Sequence, residues 1–123
     1  MTFLRVRNTC GRIIILLQNI VTGPSDYCDH EQFQAKCDNK ETILMQSAQF
    51  GRMRVGRCID IDYRIGCSMD VVPIMDGFCS GQSACEVHVG HPRLLSAKFA
   101  ANVCKSLLAY LSASYSCLKG WCY

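Results

Sequence analysis

No Cys-x-x-Cys pair occurs in the 123 residues, although ten of them are cysteine. Structural zinc sites are usually built on such short pairs, whereas Cys79 and Cys85 have five residues between them. With cysteine at about 8% of the chain, disulfides are the better use, and they place the protein in an oxidising compartment. A glycine-rich phosphate loop is also missing. The serines between residues 112 and 116 have no nucleophile elbow around them, and no catalytic set can be assembled. The chain therefore reads as a non-enzyme that needs no cofactor and no metal. It contains no internal repeat, no low-complexity tract and no second hydrophobic run beyond the first 23 residues.

An excess of charge is lacking as well, once the start of the chain is set aside. Residues 1–23 carry Arg5, Arg7 and Arg12, then the mostly apolar run Ile13 to Val21, then the small residues Thr22 and Gly23. This is the pattern of a secretory signal, too short for a comfortable membrane span. The whole chain holds 13 basic and 10 acidic residues. Without the signal, which has three of the basic and none of the acidic ones, the balance is even. No electrostatic case for nucleic acid remains.

Alternation and turn residues define the elements that follow. Phe33, Ala35 and Cys37 alternate with polar neighbours as a first strand, and Asp38-Asn39-Lys40 is a turn. Thr42 to Phe50 is a second strand with Ile43, Met45, Ser47 and Gln49 on one face; it stops at Gly51. Arg52 to Arg64 carries both charges and reads as a solvated loop. Ser68 to Cys79 fits a short helix, capped by Ser68 or Asp70, with Val71, Val72, Met75 and Phe78 at helical spacing. Ala84 to Val89 is a third strand, and Pro92 opens a helical turn with Leu94, Leu95 and Phe99. His88 and His91 read as exposed. In the closing strand, Leu111, Ala113, Tyr115 and Cys117 face inward, and Tyr110, Ser112, Ser114 and Ser116 outward. The fold class expected is α+β: a small disulfide-rich domain of antiparallel sheets in a sandwich, with one or two short helices.

Three stretches carry a family likeness: Ser-Ala-Gln-Phe-Gly-Arg (47–52), Cys-Ser-Gly-Gln-Ser-Ala-Cys-Glu-Val (79–87) and Tyr-Leu-Ser-Ala-Ser-Tyr-Ser-Cys (110–117). Together with eight cysteines from Cys28 to Cys117, they resemble the galactose- and rhamnose-binding lectin domain of the sea urchin egg lectin type, found also in fish egg lectins and latrophilin receptors. The resemblance covers about 90 residues, so the lectin domain is assigned to residues 25–118, with a short tail over 119–123.

The resemblance implies four disulfides: Cys28 with Cys58, Cys37 with Cys117, Cys67 with Cys104, and Cys79 with Cys85. The sequence alone leaves 105 connectivities for eight cysteines. It also implies sugar-binding roles by position for Asp29, for Phe50, Gly51 and Arg52 in place of a Tyr-Gly-Arg box, and for Asn102 in place of an aspartate. Ala109 stands where the family has lysine, with no nearby side chain evident to restore the ammonium, although Lys105 lies in the same loop. The expected function is carbohydrate binding by a secreted or extracellular lectin domain, for galactoside- or rhamnose-like sugars with weakened or altered specificity. Its partners would be cell-surface or secreted glycans. A second class is an extracellular adhesion or receptor module that binds protein through the same scaffold, favoured by Ala109 and by the apolar pair Leu107 and Leu108. Cys10 would leave with the signal. The odd Cys122 would then serve a dimer or an array.

Overall fold

The computed structural model describes residues 2–7, 13–18 and 23–119. Its strands are β1 (Thr2–Arg7), β2 (Ile13–Gln18), β3 (Ser25–Tyr27), β4 (Gln32–Lys36), β5 (Glu41–Arg52), β6 (Cys67–Asp70), β7 (Ala84–His88) and β8 (Tyr110–Lys119), and its helices are α1 (Val72–Cys79) and α2 (Pro92–Ala100). β1 and β2 pair antiparallel, with Thr2 opposite Gln18. Cys10 and Cys122, with the roles expected of them, lie outside the described residues.

Two antiparallel sheets make the domain: a four-stranded one in the order β3-β8-β5-β6, and the pair β4-β7. With two helices and four disulfides among the described residues, this is the small disulfide-rich α+β fold the sequence predicts. β8 is central because both β3 and β5 bond to it. That position explains a departure from simple alternation. Tyr110 and Ser112 are buried along with Leu111 and Ala113, since a central strand covered on both faces loses its wet side. The Tyr110 hydroxyl lies 3.1 Å from the Arg54 backbone N–H, which donates to it.

β5 departs from its expected faces for a different reason. Met45 pairs with Tyr115 and Ser47 with Ser114, which leaves Gln46 as an extra residue, a β-bulge. Before the bulge Ile43 and Met45 are buried; after it Ala48 and Phe50 are. The strand then runs on through Gly51 to Arg52. At Gly51 a side chain would press on the Cys67 carbonyl oxygen and sit 2.6 Å from Ser68 Cα. Glycine is needed there for β6 to approach.

The expected helix from Ser68 begins four residues later. Cys67–Asp70 pairs with Gln49–Arg52 as β6. A helix started at Ser68 would also hold Pro73 in its interior, where the missing N–H and the ring are not tolerated. Beginning at Val72 puts Pro73 in the first turn, and the Asp70 carboxylate accepts from the Val72 N–H at 2.8 Å. α1 packs on β5 and β7, and α2 touches β5. The core between them gathers Phe33, Phe50, Val71, Met75, Val89, Leu94 and Leu111, each contributing about 1.5–3 kcal/mol by burial.

Disulfides close what so small a core leaves open. They join Cys28 to Cys58, Cys37 to Cys117, Cys67 to Cys104, and Cys79 to Cys85. The Cys37–Cys117 bridge spans 80 residues and ties the end of β4 to β8; chain entropy alone gives such a loop about 4.5 kcal/mol.

Candidate functional site

A cleft of about 260 Å³ opens where five segments meet. Asp29 comes from the turn after β3, Phe50 from β5, and Val89 and Gly90 from the end of β7. Leu95, Lys98 and Phe99 come from α2, and Ser106, Leu107, Leu108 and Ala109 from the loop before β8. The floor is apolar, Phe50 being 1% exposed. Phe99, Leu108 and Leu95 are exposed around it.

Asp29 is held by its neighbours. The Glu31 N–H donates to the Cys28 carbonyl at 2.9 Å, the Glu31 carboxylate accepts from the Cys28 N–H at 2.7 Å, and the Val89 N–H donates to the Glu31 carbonyl at 3.0 Å. These bonds fix the turn against β7. The Asp29 carboxylate lies 3.2 Å from His30 Nδ1 and stays partly open to solvent. Glu31 itself is committed elsewhere: hydrogen bonds from Arg57 and then from the Cys28 N–H hold its pKa at about 2. Among the described residues Cys28, Glu31 and Cys58 form the one grouping of metal-ligand type. The two sulfurs share a disulfide, so it offers no thiolate.

α2 carries one wall of the cleft. Its start is fixed by His91, whose Nδ1 accepts from the Arg93 N–H at 3.0 Å and whose ring stacks on Phe78 at 4.6 Å. His91 is therefore a helix cap and packing residue rather than a freely solvated one. Leu94 and Lys98, four residues apart, form the buried stripe of the helix. Lys98 is only 3% exposed, and its Nζ donates to the Lys105 carbonyl at 2.7 Å. Desolvation pushes its pKa below the ordinary lysine value.

The loop that forms the other wall is strained and firmly pinned. Asn102, Cys104 and Lys105 have φ of 53°, 56° and 52°, a left-handed conformation that costs a non-glycine residue on the order of 1–2 kcal/mol. The Cys67–Cys104 bridge holds the middle of the loop. Lys98 holds the Lys105 carbonyl, and Arg52 donates from a terminal guanidinium nitrogen to the Leu108 carbonyl at 2.9 Å.

The residues expected to bind sugar thus divide. Asp29 and Phe50 share the cleft, with Ala109 beside them. Gly51 is spent on the approach of β6. Arg52 is buried at 6% exposure, and its three described hydrogen bonds go to the carbonyls of Tyr63 and Leu108. Asn102 is exposed and does not line the cleft, and Lys105 contributes its carbonyl to Lys98. The solvated face expected over Arg52–Arg64 is in part docked. Arg54 grips Asp26 with two 2.9 Å bonds, and Arg57 grips Glu31 at 2.7 and 2.8 Å. Lys98 is a cleft residue that the sequence pattern alone does not single out; its only signal is the spacing from Leu94 on an inward face.

Among the described residues no helix is long and apolar enough to cross a membrane. A search of curated proteins gave no match. The model of the D-galactoside/L-rhamnose binding SUEL lectin domain matches residues 35–117, from β4 to near the end of β8. That span is well over half of the chain and holds β5, β6, β7, most of β8, both helices and most of the cleft, and by it the protein belongs to the D-galactoside/L-rhamnose binding SUEL lectin domain family.

Proposed function

We propose that this cleft binds a single neutral hexose ring of the galactoside or rhamnose type, presented on secreted or cell-surface glycans. The observation that carries the reading is the meeting of Asp29 with an apolar floor and few polar groups in one concave site. Carbohydrate sites need this combination of convergent hydrogen-bonding groups on a rigid, mostly apolar support. At about 260 Å³ the cleft lies just under the ~300–1,000 Å³ range of drug-sized sites, which suits one ring rather than a chain. Asp29 accepts from ring hydroxyls, and Phe50 backs the apolar face. Arg52, Asn102 and Gly51 act behind the site by shaping the loops.

The lining favours L-rhamnose over D-galactose. Phe50, Val89, Leu95, Phe99, Leu107, Leu108 and Ala109 outnumber Asp29, Lys98 and Ser106. A 6-deoxy sugar brings a methyl to such a wall where galactose brings a hydroxymethyl. One such group is worth about 1–3 kcal/mol in a pocket, so rhamnose is expected to bind about tenfold or more tighter. Calorimetric titration of the oxidatively folded chain with both sugars, alongside a glycan array, tests this. Silence at millimolar concentrations of both would end the sugar reading.

A protein-binding role is the second reading. Phe99 is 63% exposed and Leu108 49% at the mouth of the cleft, an apolar rim of the kind that partners cover. Capture of a protein that free rhamnose fails to displace would favour it.

A further inference from the structure

We infer that Lys98 is the specificity-determining cation of the cleft, supplying from α2 the ammonium that Ala109 withholds from the start of β8. The inference rests on the sugar reading of the same site. Lys98 and Ala109 line one cleft with Asp29, and the Lys98 ammonium lies beside Phe99, another residue of its lining.

The burial of Lys98 is hard to explain as packing. A lysine 97% withdrawn from water, with a neutral carbonyl at 2.7 Å as its described hydrogen-bond acceptor, keeps its charge at an energetic cost. None of the ion pairs among the described residues includes it. Its remaining contact is with the Phe99 ring, whose centroid lies 5.2 Å from Nζ. A side chain needed only to fill the α2 stripe would be apolar, as Leu94 one turn earlier is. An ammonium has three donors, and the Lys105 carbonyl takes one of them.

The ligand class follows from the pair. Lys98 can only donate, and ionised Asp29 can only accept. A hydroxyl does both, so a ring with neighbouring hydroxyls satisfies the two at once. An anionic sugar would be repelled by Asp29, and an amino sugar by Lys98. The cleft therefore selects a neutral polyhydroxylated ring.

A cation swap decides the matter, read by calorimetric titration of the folded full chain with L-rhamnose. Lys98→Met should weaken binding by more than about tenfold, the usual loss of a charged hydrogen bond, together with the drop in Tm that unpinning the Lys105 carbonyl brings. Lys105→Met, which leaves the carbonyl in place, should bind as wild type does. Lys98→Met/Ala109→Lys should recover most of the affinity. If Lys98→Met binds rhamnose like wild type, Lys98 merely anchors the Lys105 carbonyl and the inference fails. If wild type itself binds neither rhamnose nor galactose, the sugar reading fails and takes the inference with it, a result visible without any variant. Should Lys98→Met not fold, Lys98→Gln keeps a donor for Lys105 and separates the same two outcomes: weaker binding supports the assignment, unchanged binding overturns it.

Discussion

Loop 53–66 and loop 101–109 both end at the Arg52 guanidinium, and each is also held by a disulfide, Cys28–Cys58 for the first and Cys67–Cys104 for the second. Beyond that they are secured in different ways. The first is tied down from its exposed face, by Arg54 on Asp26 and Arg57 on Glu31. The second is held from beneath, by Lys98 and Arg52 reaching its carbonyls from positions out of water. Exposed ion pairs are weak and screened by salt; bonds from a buried cation to a carbonyl are neither. Arg52 holds a carbonyl in each loop from out of water, but among the described residues only the outer loop also leans on exposed ion pairs, and the cleft loop carries three left-handed residues that its buried fixings must hold. A wall of the cleft is fixed from within where an outer loop is also tied down from its surface.

Breaking the inner fixings should have the largest effect. Cys67→Ala/Cys104→Ala opens a loop of 37 residues, worth about 4 kcal/mol in chain entropy. Chemical denaturation should show that loss, and hydrogen exchange should quicken most over 101–109. Arg52→Met comes next, at about 3 kcal/mol, because carbonyls in both loops lose a charged donor at once. Exchange should then rise in both loops together, which distinguishes it from the disulfide variant. Arg54→Gln should lower stability by no more than about 1 kcal/mol, and by less still in high salt. An equal loss at low and high salt would contradict the contrast drawn between the loops.

The smallest effect is one of pH. Glu31 has its pKa lowered from 4.5 to about 2, through Arg57 first and the Cys28 N–H second. A lowered carboxylate pKa means that the unfolded chain binds the proton more readily. Its contribution is complete above pH 4.5 and is lost as the pH falls toward 2. Glu31→Gln should flatten that part of the Tm-against-pH curve while leaving its shape near neutrality unchanged.

How far the chain can be read from sequence depends on whether a signal is local. β4 and β7 carry clean alternation, and both emerge where their patterns place them. β6 does not show, because its alternation of half-buried Cys67 and Met69 with exposed Ser68 and Asp70 is only four residues long and runs straight into helical spacing from Val71. Its strand character comes from β5 beside it. Likewise the two-sided burial of Tyr110 and Ser112 is imposed by neighbouring elements rather than by β8. In the site, Asp29 and Phe50 are legible through their places beside a cysteine and in a motif. The α2 wall is not, since its helix is short and its composition mixed. A lysine in the last turn of a helix is ordinarily a solvated partner of the helix dipole. Only the fold of loop 101–109 over it turns Lys98 into a buried group.

The extra residue at Gln46 leaves the faces downstream on its strand unreversed. With it, an odd count separates Met45 from Ala48, and both point into the core. Deleting Gln46 would leave Met45 and Ala48 two positions apart, which ordinary alternation puts on one face, so Ala48 and Phe50 would stay inward and the floor of the cleft would survive. A one-residue deletion four positions from Phe50 is thus expected to straighten β5 and spare the site, because the bulge absorbs the extra residue without reversing the faces beyond it.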